Sequence, residues 1–248
     1  MDSGQWTVSQ PLQNIPHSLL PYSPTPPIPY SPFPTPQMSS WLNILKSCPI
    51  IAIVRSSRRD WGYQMAATAI EAGLSYIEIG WGEEGVTLEL IQRLNREFPR
   101  CSIGVGTIFN QQQLTAAIEV GCQFAFSPVL DLGVLRLAQA VGLPFVPGAL
   151  TPTEVWTARQ AGAIAVKVFP IKSMGGSPYL RCLREALGAD IPLIPTGGVT
   201  PEQTGELLRA GATAVGLSGG LFPRLSEGEP DLRETRRIAS QLVKMFRY

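Results

Sequence analysis

Eight short apolar runs recur along residues 50–217, and a segment of helical spacing lies after each one. The runs are 50–54, 75–79, 101–105, 123–127, 143–147, 164–169, 191–195 and 213–217. They are rich in Ile, Val and Phe, which suit a pleated, buried surface. Between them apolar residues fall three and four apart, as at Leu114, Ala117 and Ile118. Several helical segments end alike: Ala72-Gly73, Val120-Gly121, Ala161-Gly162 and Ala210-Gly211. Glycine at that place accepts the left-handed conformation that stops a helix. The last segment, residues 230–246, reads as a final amphipathic helix through Leu232, Ile238, Leu242, Val243 and Phe246.

Strand–helix alternation of this kind builds a parallel sheet. Eight strands is the number that closes a (β/α)8 TIM barrel, so the expected fold is an α/β barrel in a single domain over residues 39–248. An open doubly wound sheet is the competing architecture. It is disfavoured because no G-x-G-x-x-G turn follows the first run, which continues instead into Arg55-Ser56-Ser57.

Residues 1–38 differ in kind. They hold ten prolines interleaved with Ser and Thr. Proline removes backbone donors and fixes φ, so we expect a Pro-rich disordered tail there. A ligand for a proline-binding domain is the functional alternative. Residues 39–47 read as a short helix, and Met38 just before it is a candidate start.

Composition excludes several classes of function. The net charge is +1, so no bulk field draws nucleic acid or an anionic membrane surface. No apolar run approaches the ~20 residues that span a bilayer, and we expect no secretory leader. The four cysteines show no C-x-x-C spacing, which argues against a zinc ribbon and fits a reducing cytoplasm. His17, in the tail, is the one histidine of the chain, which argues strongly against zinc-hydrolase and Ser-His-Asp chemistry.

Charges within or beside apolar runs stand out: Arg55, Glu78 and Lys167. Burying a charge unpaired costs several kcal/mol, so each needs a partner, an open strand end or a function. Lys167 stands in Val166-Lys167-Val168-Phe169-Pro170. Apolar surroundings and nearby positive charge disfavour its ammonium form. A neutral lysine can attack a ketone and form an iminium, an electron sink that allows C–C cleavage without a metal. The structural alternative is a lysine held by a buried carboxylate. Glu78, in Ile77-Glu78-Ile79, could pair with it or act as general acid and base.

Two glycine-rich turns add a second theme. Thr196-Gly197-Gly198-Val199-Thr200 follows the seventh run, and Ser218-Gly219-Gly220 follows the eighth. The loops after strands seven and eight of a barrel commonly bind phosphate with backbone N–H groups. Gly104-Val105-Gly106-Thr107 ends the third run; its two glycines allow close backbone approach and Thr107 offers one hydroxyl, but alone it is a weak signal with a plain turn as the alternative.

Taken in order, Ile51-Ala52-Ile53-Val54-Arg55, Ile77-Glu78-Ile79, Gly104-Val105-Gly106-Thr107, Ser127-Pro128, Pro147-Gly148, Thr151-Pro152-Thr153-Glu154, Val166-Lys167-Val168-Phe169-Pro170 and Pro195-Thr196-Gly197-Gly198-Val199 resemble a known family. It is the KDPG/KHG class I aldolases (2-keto-3-deoxy-6-phosphogluconate and 4-hydroxy-2-oxoglutarate) with their phosphogalactonate relatives, and the likeness spans about residues 42–223. The resemblance implies cleavage of a 2-oxo acid, phosphorylated in many members, to pyruvate and an aldehyde. It implies no metal and no organic cofactor, and a homotrimer. It places Lys167 as the Schiff-base amine and Glu78 as the proton carrier. Arg55 and Thr107 fall at the pyruvate side, Gly197, Gly198, Ser218 and Gly219 at the phosphate side, and Pro128, Phe169 and Thr196 at further substrate-binding positions. One departure is Gly82, where some members carry an arginine for the substrate carboxylate; Arg55 takes that task here. A non-catalytic or non-covalent phosphate-binding barrel is the alternative.

Overall fold

The computed structural model describes residues 41–43, 45 and 48–246. The Pro-rich segment and His17 lie outside the described residues, and of the expected helix over residues 39–47 the described positions 41–43 and 45 are helical. Nine strands follow: β1 (Ile50–Val54), β2 (Tyr76–Gly80), β3 (Ser102–Gly106), β4 (Ala125–Phe126), β5 (Phe145–Val146), β6 (Gly148–Ala149), β7 (Val166–Val168), β8 (Leu193–Pro195) and β9 (Val215–Leu217). Eight helices lie between and after them: α1 (Arg59–Glu71), α2 (Glu84–Glu97), α3 (Gln111–Glu119), α4 (Leu132–Ala140), α5 (Pro152–Gln160), α6 (Ser177–Leu187), α7 (Pro201–Arg209) and α8 (Leu232–Phe246).

Every strand-like run of the sequence holds one of these strands, but the fifth is divided. Pro147 separates β5 from β6 because it has no N–H to give a ladder. Its carbonyl still accepts from the Lys167 N–H at 2.9 Å. The sheet therefore comes in two hydrogen-bonded pieces, β5-β4-β3-β2-β1-β9 and β6-β7-β8, and all pairings of the named strands are parallel. The pieces adjoin at two places. Pro147 links β5 to β6 along the chain, and an isolated parallel bridge, Thr196 with Gly216, lies where β8 meets β9. The result is a curled, mostly parallel α/β sheet.

Strand parity sorts the side chains into two layers. One face carries Ile50, Ala52, Val54, Ile77, Ile79, Ile103, Val105, Val166, Val168, Leu193 and Val215, packed in one cluster with helix residues such as Met65, Ile91, Leu114, Leu135, Leu180 and Leu207. The face away from the helices carries Ile51, Ile53, Tyr76, Phe124, Phe126, Val146 and Ile194. Trp41 and Leu45 join this second cluster, with the Trp41 ring centroid 5.6 Å from Phe124 and 6.0 Å from Tyr76. The bulk of Phe124 is matched by Gly104, where a Cβ would meet the ring at 2.6 Å from its Cγ. Glu78 shares the parity of Tyr76, and Lys167 alternates with Val166 and Val168, so both charges point away from the helices.

The loops leaving the strands are tied down by helix caps. Asn110 Oδ1 accepts from Gln113 N at 2.9 Å and opens α3, and Asp131 Oδ1 accepts from Val134 N at 2.8 Å and opens α4. Thr151 and Glu154 form a reciprocal capping box at α5. Among the described residues no helix is long and apolar enough to cross a membrane.

Candidate active site

Lys167 is 1% exposed, in the middle of β7, opposite Gly148 on β6 and Ile194 on β8. Its Nζ lies 5.1 Å from the Phe169 ring centre and 5.9 Å from that of Phe126. Burial pushes its pKa below the usual lysine range; the Arg55 charge acts in the same direction and Glu78 against it. Glu78 is fully buried on β2, and burial pushes its carboxyl up, against the pull of Lys167 and then Arg55. Neither carboxylate oxygen has a hydrogen-bond partner among the described residues. The ion pairs found among those residues join other side chains, so Lys167 and Glu78 are not locked together as a structural pair.

Space for the Glu78 carboxylate is made by β3. A Cβ on Gly106 would coincide with Glu78 Oε1 and press on its Cγ at 2.7 Å. The second glycine of Gly104-Val105-Gly106 is thus required by the acid on the neighbouring strand. Thr107, just past β3, has φ of 65°, an uncommon conformation for a β-branched residue. Its buried hydroxyl also lacks a partner. The left-handed backbone at Thr107, its unpartnered hydroxyl and the unpartnered Glu78 carboxyl are features of a site built to hold something else.

Arg55 follows the last residue of β1 and is exposed, so it is a strand-end charge and not a strand-interior one. Its Cγ packs over Gly80, where a Cβ would lie 3.3 Å away, and its carbonyl accepts from the Arg224 guanidinium at 3.0 Å. Pro128 is half-buried beyond β4, and its carbonyl would collide with a Cβ on Gly148. Phe169 is half-buried beyond β7 and lies against Gly197, whose Cβ would sit 2.9 Å from the ring. Gly82, by contrast, faces open space.

A cleft of about 280 Å³ opens beside these groups. Ile53, Arg55, Phe169, Thr196, Gly197, Gly198, Ser218, Gly219 and Gly220 line it. The N–H groups of Gly198, Gly219 and Gly220 make none of the backbone hydrogen bonds found among the described residues, while that of Gly197 belongs to the Thr196–Gly216 bridge. Gly197 and Gly198 have φ of 96° and 74°, which turns the chain away from β8 and into α7. Such a nest of free N–H groups at a helix start favours an anion. Of the residues expected at the site from sequence, Arg55, Phe169, Thr196, Gly197, Gly198, Ser218 and Gly219 line this cleft, Lys167 and Glu78 face the interior of the sheet, and Thr107 and Pro128 lie just past β3 and β4 without lining the cleft. Two residues were not foreseen, Lys172 in the cleft wall and Arg224 against Arg55. Both sit in loops, where no periodicity marks a side chain's direction. No group of three or more His, Cys, Asp or Glu that could hold a metal occurs among the described residues.

Fold and site together define an α/β enzyme with a buried amine and a buried acid, each in the middle of its strand. The family model for KDPG and KHG aldolase matches residues 42–234, and the chain belongs to that family. It is 31% identical over 199 residues to 2-dehydro-3-deoxy-6-phosphogalactonate aldolase of Escherichia coli, covering 80% of this chain and 95% of that one. It is 28% identical over 159 residues to the KHG/KDPG aldolase of the same species, covering 64% and 74%. The crystal structure of 2-keto-3-deoxy-6-phosphogluconate aldolase from Zymomonas mobilis superposes with a TM-score of 0.72 at 25% identity, covering 81% of this chain and 94% of that one.

Proposed function

We propose that this chain is a class I aldolase, a lyase that cleaves a phosphorylated 2-keto-3-deoxy sugar acid or a related 4-hydroxy-2-oxo acid to pyruvate and an aldehyde. The observation that carries this reading is the buried, unpaired Lys167 amine facing the same interior as the unpartnered carboxyl of Glu78. The neutral amine attacks C2 of the oxo acid. Glu78, in the protonated form that burial favours, gives its proton to the leaving hydroxyl of the carbinolamine, and water departs to leave an iminium. The same carboxylate then takes the C4 hydroxyl proton, the C3–C4 bond breaks, and its electron pair enters the iminium to form an enamine. The aldehyde leaves, C3 is protonated, and hydrolysis frees pyruvate and Lys167.

Arg55 and the Thr107 hydroxyl suit the carboxylate end of the substrate, through charge-assisted and neutral hydrogen bonds. Pro128 and Phe169 supply apolar walls. Thr196, Gly197, Gly198, Ser218 and Gly219 suit a phosphate at the far end. No step needs a metal or an organic cofactor. The open space at Gly82 leaves the carboxylate to Arg55. We further read the curled sheet as a closed (β/α)8 barrel spanning residues 39–248, with β5 and β6 as one interrupted strand and the Thr196–Gly216 bridge as the seam; the two junctions support this. Exposed Phe109, Val129 and Leu132, on the loops after β3 and β4 and at the start of α4, suit a protomer interface of a homotrimer. Cys101, Cys122 and Cys182 are free thiols, which suits a cytoplasmic enzyme.

The test is reductive trapping. Incubation with pyruvate and borohydride, followed by peptide mass mapping, is expected to place a stable adduct on Lys167 and nowhere else. Folded protein that gives no adduct there would remove the covalent mechanism and favour a binding protein that releases no pyruvate.

A further inference from the structure

Lys172 occupies a place in the cleft that the reaction described above does not use. It starts the short turn Lys172–Met174 after β7, five residues beyond Lys167. Its N–H donates to the Gly197 carbonyl at 3.1 Å, and the neighbouring Ile171 N–H donates to Thr196 at 2.9 Å. These bonds fasten the loop after β7 to the loop after β8. The lysine stem then lies over Gly198, where a Cβ would come within 2.6 Å of Lys172 Cδ and 2.8 Å of its Cβ. The stem fills the space that a side chain at Gly198 would take, so the backbone N–H groups and the lysine share one wall.

The ammonium has no competing acid to hold it elsewhere. Lys172 is exposed and takes part in none of the ion pairs among the described residues. Glu206, which shares a neighbouring cleft with it, accepts the Ser177 hydroxyl instead. Arg55 borders the same cleft from the β1 side. A ligand lying on the Gly198 and Gly219–Gly220 N–H groups would therefore have an exposed cation at its edge.

We propose that Lys172 is a specificity-determining residue that selects substrates whose aldehyde end carries a dianionic phosphate, closing over that group from the loop after β7. This rests on the aldolase reading. An N–H nest alone binds a phosphate by dipoles, whereas a lysine adds a charge-assisted hydrogen bond that an uncharged substrate cannot use. Discrimination between phosphorylated and unphosphorylated substrates then resides in this side chain.

Lys172→Met keeps the apolar stem over Gly198 and removes the charge, while Lys172→Arg restores a cation. Kinetics on a 2-keto-3-deoxy-6-phospho sugar acid and on its unphosphorylated counterpart read the effect. In Lys172→Met we expect kcat/KM for the phosphorylated substrate to fall about 10- to 100-fold, mainly through KM. The unphosphorylated substrate should change less than about twofold, and Lys172→Arg should recover most of the loss, in proportions typical of one charged contact. The loss should shrink as sodium chloride is added, because the group is exposed. Equal losses on both substrates, or no loss on the phosphorylated one, would overturn the proposal. Calorimetric titration with inorganic phosphate gives a second readout without turnover. Weaker phosphate binding in Lys172→Met supports the assignment, and unchanged binding overturns it. Absence of a pyruvate adduct on Lys167 in the parent protein would instead sink the aldolase reading.

Discussion

At the scale of single residues, Glu78 and Thr107 show how the site is held ready at a cost in stability. Burial keeps the folded Glu78 carboxyl protonated to higher pH than in the unfolded chain. Its contribution is therefore fully present below the unfolded carboxylate value, about 4.3, and is lost as pH rises through the folded value. Lys167 runs the other way: its lowered pKa means its share is present above the unfolded lysine value of about 10.4 and lost as pH falls through the folded one. Glu78→Gln removes the first effect. Urea titrations from about pH 4 to pH 8 should show the variant gaining on the parent as pH rises. A difference that does not vary with pH would contradict this account. Thr107 carries the second cost. Replacing it with glycine relieves a left-handed conformation worth roughly 1–2 kcal/mol, offset by about 0.5–1 kcal/mol of added chain entropy. Thr107→Gly should unfold at slightly higher denaturant yet lose activity with its hydroxyl, while Thr107→Ser keeps most of the activity. Lys167 and Glu78 could be picked out in the sequence because a charge among Val and Ile is conspicuous. The conformation of Thr107 could not, since the sequence around it predicts only a turn.

At the scale of elements, the fifth strand is the instructive case. Its run of apolar residues is visible in the sequence, and so is Pro147, but the continuation into β6 is not. Gly148 is what lets β6 lie close beneath the loop after β4. A Cβ there would overlap the Pro128 carbonyl and approach Val129 N at 2.8 Å, and both are backbone atoms with little room to yield. Gly148→Ala should therefore destabilise the fold by about 3 kcal/mol, at the upper end of overpacking costs. Chemical unfolding measures this directly, and a loss below about 1 kcal/mol would mean the loop moves aside freely. Gly106 makes a related point. In the sequence it reads as a weak turn signal, while in the fold it is the cavity for a carboxylate two strand positions away in register, Glu78 facing Gly104 and Gly80 facing Gly106. Helix ends, by contrast, were legible, because stops such as Ala72-Gly73 and Ala210-Gly211 depend on local backbone chemistry alone, while the Thr151 capping box that starts α5 was not singled out.

At the scale of the whole molecule, the exposed apolar residues Phe109, Val129 and Leu132 bear on assembly. If they bury against a second copy, Phe109→Glu should shift sedimentation toward the monomer while each chain keeps its helical circular dichroism. An unchanged sedimentation coefficient would place the interface elsewhere. The order of strands and helices, the parallel sheet and the family were determined by the sequence itself, because hydrophobic period and local stop signals survive without knowledge of distant contacts. What only the tertiary structure decided is which residues meet across the sheet. Glu78 and Lys167, separated by 89 positions in the chain, face one interior because each strand's parity turns them away from the helices. Lys172 reaches the cleft because the loops after β7 and β8 are hydrogen-bonded together. Such meetings depend on register between elements far apart in sequence, and no local pattern encodes register.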